Sequence, residues 1–194
     1  MNSPAKPTLR ADARRNRARV LAAAQEAFAD EGPSVPLDEI ARRAGVGAGT
    51  VYRHFPSKES LFQAVVLDSI EQLTEQARER LTATDPGEAF FEYFRLVAER
   101  AVLNKALCDA LAAAGGIEPS SAQRADFRGR MAELLARAQR AGAVRDDITA
   151  EDLVPLLSGY VAILRQSPGD LGRVITDGLR AHPRGHANRF APTV

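Results

Sequence analysis

The segment from Leu37 to Lys58, with the sequence LDEIARRAGVGAGTVYRHFPSK, constrains the fold more than any other part of the chain. It predicts a short helix from about Pro36, a corner at Gly45, and a second short helix that must stop before Pro56. Two short helices that meet at a glycine corner are typical of the helix-turn-helix, a motif that binds duplex DNA.

The second of these helices, over residues 48–55, predicts one buried and one exposed face. Val51 and Phe55 are four residues apart and should point inward, which turns their neighbours toward solvent. The expected solvent face can donate hydrogen bonds to phosphate or to a base edge through Thr50, Tyr52, Arg53, His54 and the nearby Lys58.

Each of these side chains also has an ordinary structural interpretation. Tyr52 could be a core aromatic residue, His54 a buried histidine and Lys58 a surface lysine. Arg53 is the one long bidentate donor on the predicted face, and guanine is the base that best fits it, so we expect Arg53 to read a base.

Charge is unevenly distributed along the chain. Residues 1–58 carry ten Lys/Arg against six Asp/Glu, a net charge of +4, whereas residues 59–194 carry sixteen against nineteen, a net charge of −3. A basic end on a chain of net charge +1 points to a polyanion that meets only that end, although a solubilising basic tail is the alternative. Arg14, Arg15 and Arg17 are expected to reach DNA phosphates or an adjacent minor groove.

The rest of the chain predicts an all-α protein with about nine helices. Apolar residues recur at spacings of three and four, and no segment shows the sustained alternation of a strand. After a first helix from Asp12, the helix-turn-helix pair and a long helix over residues 58–83, we expect five more helices near 87–102, 104–114, 119–141, 149–166 and 168–181.

This pattern predicts two domains between two disordered ends. Residues 1–9 form a disordered arm, residues 10–57 a three-helix DNA-binding domain, residues 58–181 a helical domain and residues 182–194 a disordered tail. Ser57 is predicted to cap the long helix, and Thr149 with Asp152 to form a variant capping box.

Several classes of function are excluded by the sequence. No catalytic motif or phosphate loop is present, so neither an enzyme nor a cofactor or metal site is predicted. A single cysteine, Cys108, allows no intrachain disulfide. The chain lacks the apolar run of a secretion signal or a membrane span, so we expect a cytoplasmic protein without a membrane partner.

Residues 12–67 resemble the N-terminal domain of TetR-family transcriptional regulators. The residues that carry the resemblance are Leu37, Ile40, Ala41, Ala44, Gly45, Val46, Thr50, Tyr52, His54, Phe55 and Lys58. One departure is Gly47, where many relatives have Ser or Thr as the N-cap, because glycine offers no side-chain acceptor.

The resemblance implies a repressor that is a homodimer and binds a pseudo-palindromic DNA operator through its third helix. The family's base-reading positions correspond to Ala48 and Gly49, which carry almost no functional atoms. A small-molecule effector would bind the second domain and release the DNA. The competing hypothesis is a ligand-binding or structural helical protein with a relic helix-turn-helix.

The predicted second domain carries an aromatic cluster, Phe90 to Phe94, that either lines a ligand pocket or fills the core. From the family's layout, candidate effector contacts are Phe91, Phe94, Asn104, Leu107, Cys108, Leu111, Leu135 and Tyr160. The last two helices carry apolar faces, which would pair with those of a second copy. These faces consist of Leu153, Leu156, Leu157, Tyr160, Val161 and Leu164 on one helix and Leu171, Val174, Ile175 and Leu179 on the other.

Overall fold

The computed structural model describes residues 9–112, 120–166 and 171–181, including the side chains of residues 11–103, 120–164, 166 and 172–181. These residues form eight helices and no strand: α1 (Leu9–Glu31), α2 (Leu37–Ala44), α3 (Ala48–His54), α4 (Lys58–Arg80), α5 (Pro86–Ala112), α6 (Ser121–Arg140), α7 (Leu153–Gln166) and α8 (Leu171–Leu179). The prediction of an all-α fold is confirmed. The prediction of a disordered arm is wrong for Leu9, because α1 begins at this residue and not at Asp12. The rest of the predicted arm and the predicted disordered tail lie outside the described residues.

The first compact unit contains, of the described residues, 9–72, 100–112 and 120–123. Its core is one cluster of buried apolar side chains contributed by α1 to α4 and by the connection before α2. Phe28 and Phe62 meet edge to face near its centre, with ring centroids 4.9 Å apart. The helices that surround this core each bury at least one side chain completely, at Val20, Ile40, Val51 and Leu61.

The second compact unit contains, of the described residues, 73–99, 124–166 and 171–181. Burial of the aromatic cluster on α5 dominates its core, since the rings of Phe90, Phe91, Tyr93 and Phe94 are almost wholly inaccessible to solvent. The hydroxyl of Tyr93 donates a hydrogen bond of 2.8 Å to the carbonyl of Leu73, which satisfies the polar end of a buried ring.

An arginine from α6 closes the C-terminal end of α4 within this second unit. The Arg137 guanidinium donates to the carbonyls of Arg80 at 3.3 Å and Ala83 at 3.1 Å, and also to that of Leu81. The last carbonyls of a helix have no partner inside it, so this side chain supplies donors that the helix lacks.

Two predicted helix boundaries are wrong. The expected break near residue 103 does not exist, because α5 runs unbroken from Pro86 to Ala112, a stretch without proline or glycine after Gly87. The expected helix at 149 begins only at Leu153. Thr149 and Asp152 do interact, with the Thr149 backbone N–H donating 2.8 Å to the carboxylate, but they form a turn that precedes α7.

The ends of α6 and α8 are joined by a short antiparallel contact. Ala143 donates 3.0 Å to Ala138 as the chain leaves α6, and Val144 then forms an isolated bridge with Arg180. Hydrogen bonds of 3.0 Å on either side of the bridge fix the chain that follows α8. None of the described helices is long and apolar enough to cross a lipid bilayer.

Candidate nucleic-acid interface

The corner between α2 and α3 is set by Gly45. This residue has φ 62° and ψ 38°, the left-handed conformation that glycine adopts at least cost. Its N–H donates 3.2 Å to Arg42, and the N–H of Val46 donates 3.1 Å to Ala41, which together form a Schellman motif. Val46 packs against the core of the first unit, so the direction in which the chain enters α3 is fixed.

The two faces of α3 are divided as predicted. Val51 and Phe55 are buried at 0% and 3% exposure, whereas Tyr52 is 47% exposed. Arg53 is also exposed and His54 is half-buried. The interpretation of Tyr52 as a core residue is therefore wrong, because Val51 and Phe55 already occupy the inward positions of the helix.

The N-terminus of α3 presents almost no side chain. Gly47 is the N-cap, with φ −68° and ψ 144°, and it makes no side-chain capping bond, as predicted. Its carbonyl accepts from Thr50 at 2.9 Å, which closes the first turn. Ala48 and Gly49 are both exposed, and a Cβ atom added to Gly49 would meet nothing within 4 Å. A flat partner can therefore approach this end of the helix closely.

The start of α4 adds a cation beside this surface. Ser57 caps the helix as predicted, because the N–H of Ser60 donates 3.2 Å to its Oγ while Ser60 Oγ accepts 3.2 Å from the N–H of Ser57. Lys58 is half-buried, with its Nζ 5.8 Å from the centroid of the Phe62 ring. Burial lowers the pKa of Lys58. The N-terminus of a helix favours an anion, and here the Glu59 carboxylate already accepts from its own backbone N–H and from Ser57, which lowers the pKa of Glu59.

Basic residues of α1 lie on the exposed side of the first unit. Arg14 and Arg17 are both exposed, and the Arg17 guanidinium lies 5.6 Å from the ring centroid of Phe55, the residue that follows α3. Arg15 forms an ion pair with Asp12. The fold thus brings one of the predicted α1 cations, Arg17, to the end of α3.

A surface groove of about 500 Å³ runs beside these arginines. It is lined by Ala11, Arg14, Arg15, Arg17, Ala18, Leu21 and Asp68. Asp68, from α4, was not singled out in the sequence, since nothing local distinguishes it from the other acids of that helix. Burial raises the pKa of this carboxyl group, an effect that Arg17 opposes.

The sequence analysis also did not predict an ion-pair cluster on α2. The Glu39 carboxylate accepts 2.7 Å and 2.6 Å hydrogen bonds from Arg42 and 2.8 Å from Arg43, and Arg43 also pairs with Glu31 of α1. The bonds from the two arginines lower the pKa of Glu39 to about 2. The spacings of three and four along α2 are the signal that could have revealed the part within the helix.

Half of the predicted effector contacts can be placed. Phe91, Phe94, Leu135 and Tyr160 are buried in the second unit. Phe94 and Tyr160 stack with their centroids 5.8 Å apart, and the Arg180 guanidinium lies 4.4 Å from the Phe91 ring. The side chains of Asn104, Leu107, Cys108 and Leu111 lie outside the described residues.

The apolar stripes of α7 and α8 are only partly covered by the chain itself. Of the predicted stripe residues, Val174 is 67% exposed, Leu153, Tyr160, Val161 and Leu179 are buried, and Leu156, Leu157, Leu164 and Ile175 are half-buried. Val154, which the sequence prediction did not include, is 54% exposed. The side chain of Leu171 lies outside the described residues. Gly172 permits a close approach of the two helices, because a Cβ atom there would lie 2.1 Å from Cε2 of Tyr160.

Comparison with known proteins identifies both parts of the chain. The family model for "Bacterial regulatory proteins, tetR family" matches residues 20–65, and that for "Transcriptional regulator SbtR-like, C-terminal domain" matches residues 85–181. The crystal structure of a TetR transcription regulatory protein from Mycobacterium vanbaalenii is 47% identical, with a TM-score of 0.72, and the match covers 89% of this chain and 99% of that one.

Two curated relatives agree with this result. The transcriptional regulator UidR of Escherichia coli is 28% identical over 185 residues, which cover 89% of this chain and 93% of UidR. The transcriptional activator FasR of Mycolicibacterium smegmatis is 37% identical over 86 residues, 40% of this chain and 39% of FasR. The chain belongs to the TetR family of transcriptional regulators, which are DNA-binding proteins and not enzymes.

Proposed function

We propose that this protein is a cytoplasmic homodimeric repressor that binds a pseudo-palindromic operator and is released from it by a small-molecule effector. The observation that carries the DNA-binding part is the division of α3 into two faces. Val51 and Phe55 anchor the helix in the core, so Tyr52 and Arg53 are exposed to solvent on its other side. Display of donors on one face of a short, anchored helix suits insertion into the major groove.

The exposed donors divide into positioning and reading groups. Arg53 has the planar pair of donors that matches O6 and N7 of guanine, and it is the proposed base reader. The hydroxyl, imidazole and ammonium groups that surround it each fit a single phosphate oxygen and set the register on the duplex: Thr50, Tyr52, His54 and Lys58.

Two further pairs complete the proposed DNA surface. Ala48 and Gly49 are exposed and small, so base edges can come close, and the Ala48 methyl group can touch a thymine methyl. Arg17 lies on α1 beside the end of α3, Arg14 is exposed on the same helix, and both are proposed to bind phosphates or an adjacent minor groove.

The DNA-binding proposal is tested with the double variant Arg53→Ala/Tyr52→Phe and an operator selected from random duplexes. Operator affinity should fall by about 1–3 kcal/mol or more, while Arg140→Ala, which removes an exposed cation of α6 that is not part of the proposed DNA surface, should have no effect. Wild-type affinity should also fall about 10³-fold or more between about 50 and about 200 mM salt. Equal affinities of wild type and double variant would refute the assigned surface.

The homodimer is supported by the apolar surface that α7 and α8 leave uncovered. Val154 and Val174 are large aliphatic residues exposed on consecutive helices. A symmetric operator needs two recognition helices about 34–36 Å apart, or a multiple of that distance, which one chain does not supply. Val174→Asp should shift the protein to monomers in sedimentation velocity and abolish tight operator binding. Thr84→Asp, an equal charge in an exposed turn, should leave the dimer intact.

The effector site is proposed for the second unit, around the stacked rings of Phe94 and Tyr160, with Phe91 and Leu135 nearby in the same core. An apolar core in which the Tyr160 hydroxyl offers a polar group suits a mostly apolar ligand with a few polar groups. In a thermal-shift screen, a compound that raises the melting temperature should also dissociate the operator complex. Compounds that stabilise the protein without releasing DNA would contradict the proposed mechanism.

Repression is the family's usual mode and is proposed here for that reason, although the relative FasR is named as an activator. A reporter gene placed behind the selected operator distinguishes the two signs of regulation. Expression should fall when the wild-type protein is produced and recover with Arg53→Ala/Tyr52→Phe. A rise in expression with the wild type would overturn repression without affecting DNA binding.

A further inference from the structure

Asp68 is the one carboxylate among the residues that line the groove beside α1. The same groove is lined by the guanidinium groups of Arg14, Arg15 and Arg17. Arg15 already pairs with Asp12. Among the described residues, Arg14 and Arg17 have no hydrogen-bond acceptor, so Asp68 is the negative charge that faces these two cations across the groove.

The carboxylate of Asp68 is held in place from two sides. Its Oδ2 atom accepts 2.7 Å from Gln72, one turn along α4, and 3.3 Å from Gln25 of α1. Gln25 is itself buried and accepts 3.4 Å from Arg100 of α5. A carboxylate held by two amides keeps its position when a ligand approaches, whereas the exposed arginines can turn toward one.

Arg17 connects this groove to the DNA surface. Its guanidinium is attracted by Asp68 and lies over the ring of Phe55, at the end of α3. Guanidinium groups bind carboxylate and phosphate oxygens in the same way. An operator phosphate and Asp68 therefore compete for the same donors.

We propose that Asp68 lowers the DNA affinity of this protein by competing with backbone phosphates for Arg14 and Arg17. This inference rests on the proposed phosphate contacts of those two arginines. The competition acts on every duplex alike, because phosphates carry no sequence information. Asp68 therefore lowers the affinity for operator and for non-specific DNA by the same factor, so that the protein dissociates from DNA more readily.

The test compares Asp68→Asn with Glu71→Gln in the full-length protein, using the selected operator and a random duplex. Asp68→Asn should tighten both complexes by about 2–10-fold, the range of a partly exposed ion pair. The slope of log affinity against log salt should steepen by up to about one phosphate equivalent. Glu71→Gln removes an equal charge from an exposed site on the same helix, outside the groove lining, and should change affinity less than 2-fold, because solvent and salt screen exposed charges.

A double-variant background separates the inference from the proposed function. Arg14→Gln/Arg17→Gln should weaken binding and flatten the salt slope, and Asp68→Asn should then have no effect, since its targets are gone. No effect of the arginine pair would sink the proposed phosphate contacts. If the arginine pair does weaken binding, two results would overturn the role of Asp68 alone. One is an equal gain in DNA affinity from Asp68→Asn in the wild type and in the arginine double variant, and the other is no gain in either. Loss of affinity together with a lower melting temperature in Asp68→Asn would assign the residue a purely structural role and also overturn it.

Discussion

Replacing Gly45 with alanine should destabilise the protein, although the added methyl group has ample room. The nearest atom to a Cβ at this position would be Nη1 of Arg19 at 3.8 Å, an ordinary contact. The cost therefore comes from the backbone, because φ 62° is a conformation that alanine adopts only with strain. The Schellman hydrogen bonds hold the chain at this angle and prevent relaxation.

The size of the effect follows from two opposing terms. The left-handed conformation costs an L-residue about 1–2 kcal/mol. Alanine also restricts the unfolded chain, which recovers about 0.4–1 kcal/mol and leaves a net loss of about 1 kcal/mol. Gly49→Ala, four residues away within α3, adds a Cβ that meets nothing, so it should stabilise by about 0.5–1 kcal/mol.

Thermal unfolding followed by far-ultraviolet circular dichroism measures the difference between these two variants. They should differ by about 1.5–2 kcal/mol, and for a chain of this length that separates their melting temperatures by about 3–8 °C. Gly45→Asn should fall between wild type and Gly45→Ala, since asparagine tolerates the left-handed region. A melting temperature for Gly45→Ala at or above the wild-type value would refute the reasoning.

Three further predictions concern stability. Glu39→Gln should flatten the pH dependence of the free energy of unfolding between pH 4.5 and about 2. The lowered pKa of Glu39 contributes stability that is fully present above the pKa of the unfolded state and is lost as the pH falls through the pKa of the folded state, and acid titration by circular dichroism measures this loss. Arg137→Gln should cost about 1.5–3 kcal/mol in urea unfolding, since the end of α4 loses charged donors. Gly172→Ala should cost about 1–3 kcal/mol in the same assay, because its methyl group overlaps a buried tyrosine ring.

Each of these predictions has its own control and contrary result. An unchanged acid titration of Glu39→Gln would mean that the arginine cluster forms no stabilising bonds in solution. Arg140→Gln removes an exposed cation from the same helix as Arg137 and should stay within about 0.5 kcal/mol of wild type, so equal losses in the two would contradict the capping role. Gly129→Ala lies in open space on α6 and should stabilise, whereas Gly172→Ala should not.

The helix-turn-helix could be predicted almost to the residue because its signals are local. Gly45 turns the corner, Pro56 follows the end of α3, and Ser57 caps α4, all through contacts between residues fewer than six positions apart. The spacing of Val51 and Phe55 is enough to assign the buried face. The exposed side of α3 then follows from helix geometry alone.

Longer-range features could not be read in this way. The break expected near residue 103 had no glycine or proline behind it, and α5 runs through this position. The α1 partner of Asp68, Gln25, lies 43 residues away along the chain, and the carbonyls that accept from Arg137 lie 54 to 57 residues away. No pattern along the chain records such pairs, because each side chain alone looks like an ordinary surface charge.

The sequence by itself therefore determined the order of the helices, their apolar faces and the donors that α3 presents. Tertiary structure alone decided which partner each charged side chain meets. Asp68 meets a buried amide, Arg137 meets carbonyls at the end of α4, and Arg17 lies over an aromatic ring. The physical reason is that periodicity fixes the direction of a side chain relative to its own helix. What that side chain meets depends on how distant helices pack, and packing is a property of the folded chain.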